Sequence, residues 1–201
     1  CKRKNGRIRI QKNISLEGRA MELMHRLGYK TGKEDVYRYM NSYLELIKKH
    51  KGSCDNVWFA TCYGFPKMCV HKENAEMIKH YAEKFREQGI SISLQLSNSI
   101  GHGAYMSSRD CTGLVYKGSK AEKMIGPDGV TAEYSFCWNG KNFKKYLLEE
   151  LKIYCEAIQP KCLWIDDDFR ASNHAPVEFG CFCDDCIMRF NKRYKTNFSR
   201  E

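Results

Sequence analysis

The clearest pattern in this sequence occupies residues 56–96, NVWFATCYGFPKMCVHKENAEMIKHYAEKFREQGISISLQL. It begins with a short apolar run that ends at Gly64 and Pro66, which is typical of a buried strand. KENAEMIKHYAEKFREQG then carries apolar residues at helical spacing and has Gly89 as its C-cap. ISISLQL alternates strictly between apolar and polar residues. Together these patterns predict one strand–helix–strand unit.

Similar patterns continue on both sides of this unit. SLEGRAMELMHRLG (15–28) and TGKEDVYRYMNSYLELIKKHKG (31–52) predict two helices before the first strand. MIGPDGVTAEYSF predicts a hairpin, NGKNFKKYLLEELKIYCEAI a helix, KCLWIDDDFR a strand and CIMRFNKRY a short helix. Strands that alternate with helices indicate an α/β fold with a parallel sheet.

Composition narrows the class of protein. The chain has 201 residues, a formal net charge of +10 and 11 cysteines. It contains no apolar run of ~20 residues, so we expect no membrane span. The N-terminus also lacks the apolar segment of a secretory signal. The odd cysteine count favours a reducing compartment and a cytoplasmic protein. Most cysteines are then small buried side chains, with Cys62, Cys69, Cys155 and Cys162 as examples.

The positive charge is concentrated near the N-terminus. The first twelve residues contain no acid and carry Lys2, Arg3, Lys4, Arg7, Arg9 and Lys12. We predict a basic arm followed by helices over residues 1–52 and a second region over 53–201. The later basic residues mix with glutamate, as expected for an ordinary solvated surface. We therefore expect no nucleic-acid or membrane partner, and homo-oligomerisation is left open.

The cysteines at 181, 183 and 186 form a Cys-x-Cys-x-x-Cys motif. A structural zinc site needs four ligands, so a fourth must come from elsewhere: Cys137 first, then Cys111 or His174. A redox dithiol at Cys183 and Cys186 is an alternative, but it leaves Cys181 unexplained. Three buried free thiols are a further alternative, which the neighbouring aspartates disfavour. A site with four thiolates has no open position for water, so the zinc would be structural.

A second group of polar residues lies where predicted strands end. Asp166, Asp167 and Asp168 follow an apolar strand, while Asn98 and His102 lie in the loop after ISISLQL. In parallel sheets, binding sites form at the carboxyl ends of the strands. Clustered carboxylates raise at least one pKa, which suits a general acid. The alternative for the aspartates is a solvated loop or a helix cap.

These residues resemble a known family. FCWNGKNFKKYLLEEL, LWIDDDFR and GCFCDDCIMRFNKRY occur in the order found in the catalytic barrel of glycoside hydrolase family 42 β-galactosidases. The resemblance covers about residues 136–195. It implies a (β/α)8 barrel that hydrolyses β-galactosides with retention, and a structural zinc held by Cys137, Cys181, Cys183 and Cys186.

The resemblance also implies roles for the residues after the strand. The family has a glutamate as acid/base, preceded by an asparagine that contacts the sugar. Here Asp168 and Asp167 occupy those places, so Asp168 becomes the proposed proton donor. Asp166, Asp167, Asn98 and His102 would bind the carbohydrate substrate. The family's nucleophile lies near strand seven, so we expect the N-terminal half of a barrel that is inactive alone.

Alternative functions remain open. One is a non-catalytic zinc module that binds nucleic acid through the basic arm. Another is a glycan-binding barrel without catalysis, which the aspartate in place of glutamate favours. Trp58 and Trp138 are candidates for stacking on a sugar ring, and core packing is the alternative for both.

Overall fold

The computed structural model describes residues 24–27, 33–62, 64–97, 99–101, 119–165 and 175–200. Within them lie six strands and four helices. In chain order these are β1 (Met24–Leu27), α1 (Lys33–Lys49), β2 (Asn56–Ala60), α2 (Met68–Arg86), β3 (Ser91–Leu96), β4 (Lys123–Ile125), β5 (Thr131–Phe136), α3 (Lys141–Ile158), β6 (Leu163–Ile165) and α4 (Asp184–Tyr194).

Four of the strands form one parallel sheet in the order β1-β2-β3-β6. Asn56 pairs with Ser91 at one end of the β2–β3 ladder, and Leu96 pairs with Ile165 in the β3–β6 ladder. Each neighbouring pair is parallel and has at least one helix between its strands in the chain. The predicted α/β class with a parallel sheet is therefore confirmed. Among the described strands the sheet is open, with β1 and β6 at its edges.

The predicted helix over residues 15–28 is wrong at its C-terminal part. Met24–Leu27 is a strand that pairs in parallel with Asn56–Phe59 of β2. The helical spacing of apolar residues is a weak preference over four residues, and pairing with a preformed strand edge outweighs it. The rest of that segment and the basic arm lie outside the described residues, and the division after residue 52 stays a prediction.

The three long helices pack against one face of the parallel sheet. Val57 and Phe59 of β2 and Ile92 and Leu94 of β3 share a buried cluster with side chains from α1, α2 and α3. The helical contributors are Met40, Leu44, Ile47, Ala75, Ile78, Tyr81, Ala82, Phe85, Tyr154 and Ile158. Because side chains alternate along a strand, the residues between these four lie on the opposite face.

The opposite face of the sheet has a different character. It carries Trp58 and Asn56 from β2, Ser93 and Gln95 from β3, and Trp164 from β6, which pairs with Gln95. The rings of Trp58 and Trp164 meet edge to face, with centroids 4.7 Å apart. The strand predicted before the aspartates is confirmed as β6, and all three of its residues are exposed.

The hairpin predicted in residues 124–136 is confirmed as the antiparallel pair β4–β5. Its turn is closed by the Gly126 N–H, which donates to the Val130 carbonyl over 2.8 Å. Asp128 accepts from the Val130 N–H at 3.1 Å, and Gly129 has a φ of +80°, which favours glycine. Among the described helices, none is both long and apolar enough to cross a bilayer.

Candidate metal centre

Four cysteine sulfurs converge beside the β4–β5 hairpin. The Sγ atoms of Cys137, Cys181, Cys183 and Cys186 all lie within 4.8 Å of one another. The Cys137 sulfur is 3.7 Å from that of Cys183 and 3.5 Å from that of Cys186. The first cysteine is separated from the other three by α3 and β6. The sequence prediction that these four side chains form one cluster therefore agrees with the structure.

Cys137 is positioned by the junction between β5 and α3. It follows Phe136, the last residue of β5, and its carbonyl accepts from the Gly140 N–H at 3.0 Å. The Cys137 N–H donates to the carbonyl of Glu122 at 2.8 Å. The Glu122 carboxylate in turn accepts from the N–H groups of Asn142 and Phe143 in the first turn of α3. Glu122 thus joins the cysteine turn to the helix end.

Several hydrogen bonds favour the charged form of the Glu122 carboxyl. Burial by itself raises the pKa of Glu122, but the bonds from the Phe143 and Asn142 backbone outweigh it and lower the pKa overall. The carboxylate also lies at a helix N-terminus, where negative charge is stabilising.

Cys181 is held by a loop that docks onto β4. The Ile125 N–H donates to the Cys181 sulfur over 3.4 Å, and the Phe182 N–H donates to the Ile125 carbonyl over 2.7 Å. Gly180 makes this approach feasible, because a Cβ there would lie 2.7 Å from Cγ of Met124. The loop therefore requires glycine immediately before the cysteine.

Cys183 and Cys186 lie at the start of α4. Cys183 is the N-cap residue, with φ −68° and ψ 159°, and Cys186 lies in the first turn. The side-chain amide of Asn139 donates to the Cys186 sulfur over 3.2 Å. Asp184 and Asp185 occupy the first turn as well, where the helix dipole favours acids.

The spacing of the sulfurs fits a tetrahedral metal ion. Four Zn–S bonds of about 2.3 Å give sulfur–sulfur edges of about 3.8 Å. The distances from the Cys137 sulfur to those of Cys186 and Cys183, 3.5 and 3.7 Å, are close to that value. No two of the four sulfurs are more than 4.8 Å apart, so a bound ion would require them to move together by at most about 1 Å. Hydrogen bonds from Ile125 and Asn139 to sulfur supply the outer contacts that orient metal ligands. These four residues could hold a metal ion.

The pKa values of the Cys137, Cys181 and Cys183 thiols depend on burial and on hydrogen bonds with the other cysteines of the cluster. The hydrogen bond from Cys137 lowers the pKa of Cys181 to about 5, while the same bond and burial raise the pKa of Cys137. Burial raises the pKa of Cys183 to about 11. Packed thiolates repel each other, so the cluster ionises fully only when a cation offsets the negative charge.

The structure bears on some of the alternative interpretations of the cysteine motif. Cys111 and His174, the other candidates for the fourth ligand, lie outside the described residues. A dithiol of Cys183 and Cys186 alone does not account for the convergence of Cys137 and Cys181 on the same point.

The nine described cysteines are free thiols. Of those interpreted as buried, Cys62 is buried and Cys155 half-buried, whereas Cys69 and Cys162 are exposed, which corrects the prediction.

The predicted sugar-site residues Asp166, Asp167, Asp168, Asn98 and His102 all lie outside the described residues. The strands that precede them, β3 and β6, are neighbours in the sheet. Leu96 pairs with Ile165, so the two strands end side by side at the carboxyl end of the sheet.

The sequence analysis missed a buried polar network between α2 and α3. His71 is fully buried, with Nδ1 3.2 Å from the Tyr154 hydroxyl and Nε2 2.7 Å from the Tyr146 hydroxyl. Glu150 is 1% exposed, and its carboxyl lies 3.8 Å from Nδ1 of His71. The Tyr146 hydroxyl donates to the Pro66 carbonyl at 2.7 Å, which ties the network to the segment after β2.

Burial sets the charge state of this network. It lowers the pKa of His71 to about 4. It raises the pKa of Glu150 to about 8, although a hydrogen bond with Thr61 opposes the rise. Both groups are therefore neutral from about pH 4.5 to pH 7. The only sequence signal was the position of Glu150 on the apolar face of the predicted helix.

The two tryptophans proposed to stack on a sugar ring lie in different parts of the structure. Trp58 is half-buried on the sheet face opposite the helices, whereas Trp138 packs beside the second buried cluster. That cluster has Cys181 packed against it and includes Phe65, Phe136 and Phe143, with the last two rings stacked and their centroids 4.9 Å apart. Trp164, which the sequence analysis did not single out, is 41% exposed and contacts Trp58.

Comparisons with known proteins leave the family open. No protein-family model matches the chain, and no curated protein matches it. A solved structure of a mutant of the trehalulose synthase MutB aligns with 86% of this chain at 10% sequence identity, with a TM-score of 0.43. The chain spans 39% of the length of that protein. A likeness at this level carries no argument, so the resemblance to glycoside hydrolase family 42 rests on the sequence motifs.

Proposed function

We propose that Cys137, Cys181, Cys183 and Cys186 bind one structural Zn²⁺ in a glycoside hydrolase-like barrel. The observation that carries this proposal is the convergence of the four sulfurs within 4.8 Å. With four thiolate ligands the ion has no open position for a water molecule. Its contribution is therefore to stability and position, and the hydrolytic chemistry belongs to carboxylates.

The arrangement of the sheet supports a partial (β/α)8 barrel. The described parallel strands lie side by side in chain order, and the helices that contribute to their core pack on one face. Doubly wound sheets instead carry helices on both faces, with a reversal of strand order. Sequential parallel strands with helices on one side are what a barrel requires.

The sheet face opposite the helices supports a ligand site. The indole N–H of Trp58 and the hydroxyls of Ser93 and Ser99 are buried without a hydrogen-bond partner among the described residues. Buried polar groups normally have partners, so each of these three groups requires one, and a bound water or a ligand hydroxyl is a suitable partner. The half-exposed ring of Trp164 lies on the same face, two residues before Asp166.

Asp168 is the proposed proton donor, and Asp166, Asp167, Asn98 and His102 are the proposed sugar contacts. A retaining glycosidase needs a second carboxylate about 5–5.5 Å from the first. By the family resemblance, we propose that this nucleophile belongs near strand seven of such a barrel. The zinc clamp would join the segment after β6 to the β5–α3 junction. In that position it restrains the chain on both sides of the acidic residues.

Tryptophan fluorescence tests the ligand site. We expect lactose to change the emission of Trp58 and Trp164, whereas sucrose, an α-glucoside, has no effect at the same concentration. Asp168→Asn should weaken the response, and Asp128→Asn, in the turn of the β4–β5 hairpin, should leave it unchanged. Trp164→Phe identifies the reporter, because it reduces the signal while calorimetry still detects binding. Identical responses to both sugars would contradict a β-galactoside site.

A glycan-binding barrel without catalysis is the second candidate. Asp168 favours it, because aspartate is one methylene shorter than the glutamate of the resembled family and reaches less far toward a glycosidic oxygen. Lactose binding without hydrolysis of nitrophenyl β-galactoside would agree with both candidates for this chain alone. Hydrolysis that Asp168→Asn abolishes would exclude the non-catalytic candidate.

A further inference from the structure

A shallow groove between α3 and α4 has a strongly positive lining. Lys141, Lys144, Lys145 and Lys152 come from α3 and Arg189 from α4, and Glu149 is the only acid among the described residues that line the groove. The groove has a volume of about 610 Å³ and contains the exposed side chain of Leu148. An anion in this groove would meet cations contributed by both walls.

Three of these cations have no acidic partner among the described residues: Lys141, Lys144 and Lys145. Lys152 lies 3.9 Å from Glu156, and Arg189 pairs with Asp185 at 2.7 Å, so these two are partly neutralised. Neither pair is buried, and exposed pairs contribute little energy, so both cations remain usable by a partner.

The outer surface of α2 provides a comparison within the same molecule. Residues 72–87 contain four cations and four glutamates, Lys72, Lys79, Lys84 and Arg86 against Glu73, Glu76, Glu83 and Glu87. The excess of positive charge in the groove is therefore not shared by the solvated surface of α2.

An exposed aromatic set lies beside the groove. Phe190, Tyr194 and Phe198 are 48%, 57% and 62% exposed. Their ring centroids are 4.7 Å apart for Phe190 and Tyr194 and 6.0 Å apart for Phe190 and Phe198. Arg189, in the wall of the groove, directly precedes Phe190 on α4. Consecutive helical residues are about 100° apart around the helix axis, so α4 links the groove to the aromatic set through Arg189 and Phe190, while Phe198 contacts Phe190 from the segment after the helix.

We propose that this surface binds a single strand of nucleic acid, with the sugar–phosphate backbone in the groove and bases on the aromatic set. A basic channel beside exposed aromatic rings is the common arrangement for sequence-independent binding of single strands. Lys141 and Lys145 are four residues apart, about 6 Å along the helix axis, which is close to the spacing of successive phosphates. An acidic peptide would use the cations but has no need of the rings, and a duplex keeps its bases stacked internally.

This inference is independent of the proposed glycosidase and departs from the expectation against a nucleic-acid partner. The surface that carries it combines residues of α3 with residues of α4, about forty positions apart in the chain. Sequence order alone does not bring them together.

Fluorescence anisotropy of a labelled oligothymidine, titrated with the zinc-loaded chain at low salt, tests the proposal. We expect Lys144→Glu/Lys145→Glu to weaken binding about tenfold or more and to reduce the salt dependence by about 0.7 per lost phosphate contact. Phe190→Ala should weaken it about tenfold through lost stacking. The matched control, Lys72→Glu/Lys79→Glu on α2, should leave affinity within about twofold.

The outcomes separate the alternatives. No α4 side chain is buried, so Phe190→Ala is not expected to unfold the chain, and circular dichroism checks this. An equal loss of oligonucleotide affinity in the α2 and α3 charge variants would overturn the assignment of the binding site to the groove. Displacement of the oligonucleotide by polyglutamate at equal charge, with no effect of Phe190→Ala, would also overturn the proposal and indicate an acidic protein partner. Absence of binding at low salt would overturn it outright.

Discussion

The free energy of unfolding of the wild-type protein should fall between pH 6.5 and pH 8, and Glu150→Gln should abolish this fall. Glu150 is buried at 1% exposure beside His71, and the pKa of the carboxyl is raised to about 8. In the unfolded chain the same group has its ordinary pKa of about 4.5. Between these values the folded state holds a proton that the unfolded state has released. Stability therefore falls as the pH rises through this window.

His71 has the opposite effect over part of that range. Its pKa is about 4 in the folded state and 6.5 when unfolded, so its contribution to stability rises with pH between those values. The two slopes cancel from about pH 4.5 to pH 6.5. From pH 6.5 to pH 8 only Glu150 acts, and 1.5 pH units at 1.36 kcal/mol each amount to about 2 kcal/mol.

Urea denaturation at pH 6.5 and pH 8 measures this difference. We expect the wild type to lose about 2 kcal/mol more than Glu150→Gln between the two pH values. Effects of other groups, including the thiols, are common to both proteins and cancel. Glu149→Gln, one residue earlier and exposed, should behave as the wild type. Equal pH dependence in the wild type and Glu150→Gln would refute the assignment of a buried neutral carboxyl.

Three further substitutions test how the cysteine cluster is supported. Glu122→Ala leaves the Asn142 and Phe143 N–H groups without their acceptor and should cost about 1–2 kcal/mol in urea, whereas an effect below about 0.3 kcal/mol would contradict the capping role. Gly180→Ala places a Cβ against Met124 and should lower zinc affinity in a chelator competition, and an unchanged affinity would contradict the docking of this loop. Phe143→Ala removes a fully buried ring and should lower the free energy of unfolding by about 3–5 kcal/mol, measured as a large drop in Tm. A small drop in Tm would contradict close packing around this ring.

Matched controls are available for two of these variants. Glu133→Ala changes an exposed acid in the same hairpin region as Glu122, and Leu148→Ala changes an exposed apolar residue on the same helix as Phe143. Both should alter the free energy of unfolding by less than about 0.5 kcal/mol, as is usual for surface positions.

Strong local patterns were sufficient to predict most of the elements. The alternation in ISISLQL and the helical spacing in residues 141–158 correspond to β3 and α3, because side-chain periodicity follows directly from backbone geometry. Met24–Leu27 was misassigned because its strand state depends on pairing with β2, a contact that no local pattern encodes. The exposure of Leu163–Ile165 likewise depends on which elements cover β6 rather than on its apolar composition.

The candidate site was predictable where one residue type carries the chemistry. The spacing of Cys181, Cys183 and Cys186 indicated a metal site with Cys137 as the first candidate for the fourth ligand, and the resemblance implied the same residue. The supports of the site were not predictable. Gly180 is required by the approach of Met124, and Glu122 acts through a helix end 19 residues later. Both roles arise from tertiary contacts.

X-ray absorption at the zinc K-edge of the purified protein tests the central claim most directly. We expect one zinc per chain, bound by four sulfur atoms at about 2.3 Å with no directly bound nitrogen or oxygen. Cys137→Ser should reduce the sulfur count or lose the metal, whereas Cys155→Ser, a half-buried cysteine on α3, should leave the spectrum unchanged. Zinc-free protein after growth with zinc, or a first shell that Cys137→Ser does not alter, would contradict the proposed clamp.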